Sequence, residues 1–328
     1  MKTWKNLSSE FLERLGHIVP ANKLAQVLHV FSIKRPTTIR VNTLKISVWE
    51  LRRMLLEQRI KLDPVPWYKN AFIVNNISLR ELQESDLYRN GYFYVQSLSS
   101  MIPALILDPK PGEKILDITA APGSKTTQMS ATMGNDGEII ANDTSPLRLL
   151  RLEANIKTQG VNIVKIKKTD ARNIWRDYPE YFNRTLVDVP CSMEGRMSLS
   201  EPKSYSGWSL KKIQNLAKLQ CWILRSAVSA TKVGGRIVYS TCTLAPEENE
   251  GVIDWILSKE EGNIVLEDIF IKNLEFSLAK ISWNGKSYSS EIRKCRRVLP
   301  SNTMEGFFIA SLRKIRSNIG INKQLLDT

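Results

Sequence analysis

A chain of 328 residues has room for one large domain and a smaller appended one, so core size sets no limit on fold. Hydrophobic residues at 42% and charged residues at 24% match ordinary globular usage and exclude a disordered or fibrous protein. Lysine and arginine number 47 against 33 acidic residues, giving a net charge of +14 and a pI of about 9.6. That excess favours a polyanionic partner, though charge alone is as compatible with a basic enzyme that never meets nucleic acid.

The basic residues cluster at Lys34, Arg35, Arg40 and Lys45, at Arg52, Arg53, Arg59 and Lys61, at Lys165, Lys167 and Lys168, and at Arg293, Lys294, Arg296 and Arg297. They are either separate solvated faces or one electropositive surface gathered by the fold. Cysteines stand at 191, 221, 242 and 295 without a Cys-x-x-Cys pair, and His17 and His29 are the two histidines, so no metal site is expected. There is no signal-like N-terminus and no apolar run long enough to span a bilayer. The expectation is a reduced, cytoplasmic, monomeric protein with no membrane partner.

In chain order, Leu7 to Phe31 has helical periodicity broken at Pro20. Thr38 to Leu44 alternates as a strand, Ser47 starts a helix reaching about Gln58, and Ala71 to Asn75 is a second strand. These elements predict a small α+β module over residues 1–88 that presents an RNA-binding face. Beyond Tyr88 the rhythm becomes apolar strands alternating with longer helices. Strands are predicted at 114–118, 138–142, 163–167, 185–189, 236–240 and 306–312, with helices near 124–133, 145–159, 209–231 and 247–260. The fold class is therefore α/β, a Rossmann-like doubly wound sheet over residues 89–315, followed by a tail over 316–328.

The first of these strands runs through Thr119, Ala120, Ala121, Pro122, Gly123, Ser124 and Lys125 into a helix, which offers backbone amides to a nucleotide-sized ligand. Neither Gly-x-Gly-x-x-Gly nor a phosphate-binding Gly-x-x-x-x-Gly-Lys occurs, which disfavours dinucleotides and nucleoside triphosphates. Asp143 ends the next strand, where a carboxylate can accept both hydroxyls of a cofactor ribose, and Asp170 follows the third. Singly each acid reads as a cap or turn residue; in series they mark the carboxyl edge of the sheet, where ligands bind. The next two strands end in Asp188-Val-Pro-Cys191-Ser and Tyr239-Ser-Thr-Cys242-Thr. A lone cysteine beside a strand is usually an inert buried thiol, but two at neighbouring strand ends weaken that reading. Pro246-Glu-Glu-Asn-Glu250 places proline and acids where a helix begins.

Through Asp117 to Lys125, Asp188 to Ser192, Tyr239 to Thr243 and the Glu-Glu-Asn-Glu run, the chain resembles the NOL1/NOP2/Sun family of RNA cytosine-C5 methyltransferases. The likeness extends to Ile39–Lys45, Tyr94–Ser100 and Glu305–Ala310, and within the family it is most like the bacterial 16S ribosomal RNA enzymes of the F type. The resemblance implies S-adenosyl-L-methionine as cofactor, with Thr119 to Lys125 lining its methionine and ribose, Asp143 the ribose, Asp170 the adenine and Arg148 a further contact. It implies that Cys242 attacks C6 of cytosine, that Asp188 holds or protonates N3, and that Cys191 assists release from the methylated product. The target base must be extruded or unpaired, and Arg40, Asn42 and Lys45 are expected to contact the RNA backbone. Ribosomal RNA is the expected partner and transfer RNA the alternative. A non-catalytic RNA-binding or ribosome-assembly factor is a further reading, and a nicotinamide oxidoreductase a distant one. Two departures stand out: Thr119 replaces a common alanine, and Met193 stands where the family usually has glycine. If position 193 requires φ > 0, that side chain costs about 1–2 kcal/mol.

Overall fold

The structure, a computed structural model, describes residues 4–318. Most of the expected tail, 319–328, lies outside the described residues.

The N-terminal periodic segment forms α1 (Ser9–Ile18) and α2 (Ala21–Val30) on either side of Pro20. β1 (Thr37–Val41) is followed by α3 (Val48–Glu57), which starts where Ser47 and Glu50 satisfy each other's backbone amides as a capping box. β2 (Leu62–Pro64), β3 (Ala71–Val74), α4 (Leu79–Glu84), α5 (Asp86–Arg89) and β4 (Phe93–Val95) complete this unit. Its four strands lie in the order β2-β3-β1-β4, all neighbours antiparallel, and bury Ile39, Val41, Leu51, Leu55, Phe72 and Phe93. Because β4 pairs with β1, the small unit runs past the boundary expected at residue 88.

The larger unit opens with α6 (Leu98–Leu107) and β5 (Lys114–Asp117). It continues through α7 (Ser124–Thr132), β6 (Glu138–Asn142), α8 (Pro146–Gln159), β7 (Val164–Lys167), β8 (Phe182–Asp188), α9 (Leu210–Ala230), β9 (Thr231–Thr241) and α10 (Glu250–Lys259). Then come β10 (Ile264–Glu267), β11 (Ser277–Leu278), β12 (Ser282–Trp283), β13 (Lys286–Ser287), β14 (Arg296–Val298) and β15 (Phe307–Lys314). Strands β9-β8-β5-β6-β7 are parallel neighbours, and β15 joins β9 antiparallel.

Both faces of this sheet are apolar, and the period of two decides which helix each residue meets. Ile115, Ile139, Leu186, Val238 and Ile309 face α6 and α7, while their successors Leu116, Ile140, Val187, Tyr239 and Ala310 face α9 and α10. From β5 the chain winds outward to β7, then returns to β8 and winds the other way, so β5 and β8 flank the topological switch point. Ligands bind at the carboxyl end of such a point. The helix expected from residue 247 begins at Glu250 instead, because Glu247 and Glu248 turn inward to pair with Arg14 and Ser192.

The two units are joined by polar side chains that were expected on the RNA. The Arg40 guanidinium, 1% exposed, donates to Gln96 Oε1, to Ser124 O (2.7 Å) and to Thr127 Oγ1 (2.9 Å). Asn42 Nδ2 donates to Gly91 O and Gln159 O, both at 2.8 Å, and Lys45 Nζ to Asn90 O and Thr158 O. Arg40 and Asn42, both buried, are therefore corrected from RNA contacts to the seam between the two units, whereas Lys45 stays exposed while bonding across it. Replacing Arg40 with leucine strands those acceptors and should cost roughly 1–3 kcal/mol of stability by urea titration. Loss of RNA affinity at unchanged stability would restore the surface role.

Candidate active site

The parallel pairing of β8 with β9 sets Asp188 opposite Ser240. Both strands end there, and the chain passes Pro190 to Cys191 on one side and Thr241 to Cys242 on the other. The two sulfurs lie 3.4 Å apart. Cys242 is half-buried and borders a groove of about 830 Å³, whereas Cys191 is buried behind it. The hydrogen bond with Cys242, then burial, then the charge of Glu248 push the Cys191 thiol well above its ordinary value. The adjacent sulfur and burial thus favour the neutral thiol at Cys191.

Asp188 lines the same groove. Its Oδ1 accepts from Ser240 Oγ (2.8 Å), and its Oδ2 accepts from Lys125 Nζ (2.7 Å), which also donates to Ser100 Oγ. These two donors orient the carboxyl group at the groove wall. Lys125 comes from the start of α7, where the turn through Gly123 requires φ +105° and a Cβ would strike Leu152 Cδ1 at 2.7 Å. The Gly123 amide bonds to Ala120 O within this turn, so it is not free for a ligand as expected. Ala120, Ala121, Pro122 and Ser124 border the groove.

A second cavity, of about 220 Å³, adjoins the groove through Thr119 and Arg148, which line both. Asp143 and Asp170 line it together with Asn142 and Pro190. Asp143 Oδ1 accepts from Ser145 N, while its buried Oδ2 receives no hydrogen bond, its nearest cation being Arg148 Nη1 at 3.3 Å. Arg148 Nη2 is itself bonded to Ala121 O. Asp170 is pinned by Arg172, whose hydrogen bonds hold its carboxyl below the usual range. Asp117 Oδ1, at the groove floor, is a second buried oxygen without a donor. Two donor-hungry carboxylates beside a nucleoside-sized cavity fit a ligand rich in hydroxyl and ammonium groups, as S-adenosylmethionine is. Among the described residues no group of three or more His, Cys, Asp or Glu converges as a metal site, and no helix is long and apolar enough to cross a membrane.

Several site residues were not singled out from sequence. Ser100 and Ser240 lie inside motifs that were recognised, but their contacts depend on tertiary register. Glu248, read as a cap residue, accepts from Ser192 N (3.0 Å) and Gln220 Nε2 (2.8 Å) and supports the Cys191 loop from behind. Glu194 accepts from Trp208 Nε1 and Thr243 Oγ1, tying that loop to the residue after Cys242. Gly195 packs on Gly306 so closely that a Cβ would meet Gly306 O at 2.1 Å.

Met193 adopts φ +61°, ψ 26°, the left-handed conformation in which its Cβ is strained. Its side chain is 42% exposed and gains little packing in return. Met193→Gly should therefore stabilise the protein by about 1 kcal/mol in urea titration; a loss of stability would mean that the methionine makes compensating contacts.

Burial raises the Asp117 carboxyl to about 7, against the hydrogen bond from Thr126 that lowers it. The unfolded chain releases this proton near pH 4. The contribution of protonated Asp117 to stability is therefore complete below about pH 4 and is lost as pH rises through about 7. Asp117→Asn, which keeps the neutral shape, should flatten that part of the stability curve; an unchanged slope would show that the carboxyl ionises freely.

Comparison with known proteins agrees with this geometry. Residues 104–313 match the family described as 16S rRNA methyltransferase RsmB/F, and residues 7–98 match the N-terminal domain of 16S rRNA methyltransferase RsmF. The chain is 39% identical over 315 residues to the tRNA (cytosine(49)-C(5))-methyltransferase of Pyrococcus abyssi, covering 95% of this chain and 98% of that one. It is 36% identical over 327 residues to the ribosomal RNA small subunit methyltransferase F of Vibrio cholerae, covering 98% of this chain and 67% of the relative. A solved methyltransferase homolog from Pyrococcus horikoshii superposes with a TM-score of 0.82 at 31% identity, over 95% of this chain and 97% of that one. Fold, cysteine pair and sequence together show that the chain belongs to the RsmB/F (NOL1/NOP2/Sun) family of S-adenosylmethionine-dependent RNA cytosine-C5 methyltransferases.

Proposed function

We propose that this enzyme forms 5-methylcytosine in small-subunit ribosomal RNA, with Cys242 as the nucleophile, Asp188 as the group that holds the base and Cys191 as the residue that assists release. The observation that carries the reading is the pair of sulfurs 3.4 Å apart, with Cys242 and Asp188 bordering one groove.

C5 of cytosine is a weak nucleophile. When the Cys242 thiolate adds to C6, a carbon–sulfur bond forms, the C5–C6 double bond opens, and electron density gathers at C5 and across the ring to N3. Asp188, fixed by Lys125 and Ser240, faces that developing charge as the partner that holds or protonates N3. S-adenosylmethionine, when bound, supplies an electrophilic methyl group. Asp143 would hold its ribose hydroxyls, Asp170 would border its adenine, and the turn from Thr119 to Lys125 would line its methionine portion. Transfer of the C5 proton to solvent water then restores the C5–C6 double bond as the C6–sulfur bond breaks and the Cys242 thiolate leaves. Cys191, whose sulfur lies 3.4 Å away, is placed to stabilise the returning negative charge through its S–H.

The N-terminal match to the RsmF domain supports ribosomal RNA. A second reading, transfer RNA, is favoured by the near-complete coverage of the archaeal relative. Nucleoside mass spectrometry on unmodified ribosomal RNA, intact small subunits and transfer RNA decides between them. The native enzyme should produce 5-methylcytidine in the small-subunit samples, and Cys242→Ala should lower it by roughly 1,000-fold or more. Cys191→Ser should accumulate a protein–RNA adduct that survives denaturing electrophoresis. If native protein binds these RNAs yet methylates none, the chain is an RNA-binding scaffold instead.

A further inference from the structure

Arg40 and Asn42 are buried in the seam, so other side chains meet the RNA near the reacting base. Besides Arg148, Arg35 and Arg196 border the groove that holds Cys242, and both are anchored at Nε. Arg35, in the link between α2 and β1, donates from Nε to Ser301 O (3.2 Å) and Met304 O (3.1 Å). Its Nη2 is buried and has no acceptor among the described residues. Arg196, just beyond the Cys191 loop, donates from Nε to Glu305 Oε1 (3.1 Å), and its side chain remains 54% exposed. Glu305 is itself positioned by Ser97 Oγ, which donates to Oε2 at 3.0 Å.

From this arrangement we infer that Arg35 and Arg196 form a two-point clamp on the phosphates flanking the target cytidine. The clamp rests on the reading of the groove as an RNA methylation site. A guanidinium held by Nε is oriented without losing its Nη edge, and that edge presents donors in the spacing of two phosphate oxygens. Glu305 cancels part of the charge between the two arginines, so they can share one groove wall without a bound anion. Burial, partly offset by Glu305, pulls the Arg35 guanidinium below its ordinary value, as expected of a cation short of solvation. A phosphate oxygen that enters the groove and displaces the atoms covering Nη2 supplies the missing acceptor. The hydrogen bonds from Arg35 to Ser301 and Met304 tie the small unit to the large one, so engaging a phosphate there would set the RNA against both.

The test uses the full chain and a short fluorescein-labelled, cytosine-rich single-stranded RNA, with affinity measured by anisotropy across a salt series. Variants are Arg35→Gln, Arg35→Lys and Arg196→Gln, each checked for S-adenosylmethionine binding by calorimetry so that a folding defect is recognised. Each glutamine variant should weaken binding on the order of five- to tenfold and reduce the salt slope by about 0.7. Arg35→Lys, which keeps the charge but not the fork, should recover the salt slope and only part of the affinity. On the methylated RNA, KM should rise with kcat within about twofold for Arg196→Gln, because a phosphate contact is made equally in ground and transition states. Salt slopes left unchanged by both Arg35→Gln and Arg196→Gln would overturn the clamp. If Arg35→Gln loses cofactor binding, Arg196→Gln alone decides. If native protein binds RNA but makes no 5-methylcytidine, the methylation reading fails while the salt slopes still judge the clamp; if it binds no RNA, both fail.

Discussion

The parallel register of β8 on β9 is the constraint from which the catalytic geometry follows. Neighbouring strands lie about 4.8 Å apart, and with Asp188 opposite Ser240 the segments that continue from them emerge side by side. Cys191 and Cys242 are brought into sulfur–sulfur contact by that pairing, not by any nearness in sequence. The same register directs Ser240 Oγ at the Asp188 carboxylate. A one-residue slip would turn each side chain to the opposite face and separate thiol, carboxylate and hydroxyl together.

The carboxylate and the lysine that pairs with it illustrate how charge is kept in a nearly dry place. Lys125 and Asp188 are costly to desolvate, and an isolated pair would gain little net stability. Here each partner has a second hydrogen bond, from Ser240 to Asp188 and from Lys125 to Ser100, so the remaining polar capacity is largely used. The pair also joins the start of α7 to the end of β8, across the switch point. Cofactor-side and base-side residues consequently share one rigid wall. Behind it, Glu248 and Glu194 do comparable work for the loops, accepting from backbone amide, tryptophan and threonine so that the Cys191 turn keeps its shape despite the strained Met193.

The net charge of +14 is not a direct measure of nucleic-acid contact. Arg40 and Arg297 are almost completely buried, the latter bonded to Glu250 at 2.5 Å and to Leu244 O, and Lys314 lies in the core against Val228 O. These cations organise the interior. Those at Arg35 and Arg196 border the groove instead, and Arg52 and Arg53 remain exposed on α3 beside Trp49.

Much of this protein was legible from sequence because its determinants are local. Alternating and helical periodicity, the turn through Pro122 and Gly123 and the helix start at Ser47 predicted the wound sheet and most element positions. The motifs ending in Asp188, Cys191 and Cys242 supplied the chemistry through their likeness to one family. Sequence did not separate Arg40, sealed against Ser124 and Thr127, from Arg35, which borders the groove, because both are basic residues within one short basic stretch. Nor did it show that Glu247 and Glu248 would delay α10 by bonding to distant partners. Those outcomes depend on which backbone carbonyls and amides arrive from elsewhere in the chain, and burial of a polar group is favourable only where such partners meet it; that pairing exists in the tertiary structure alone.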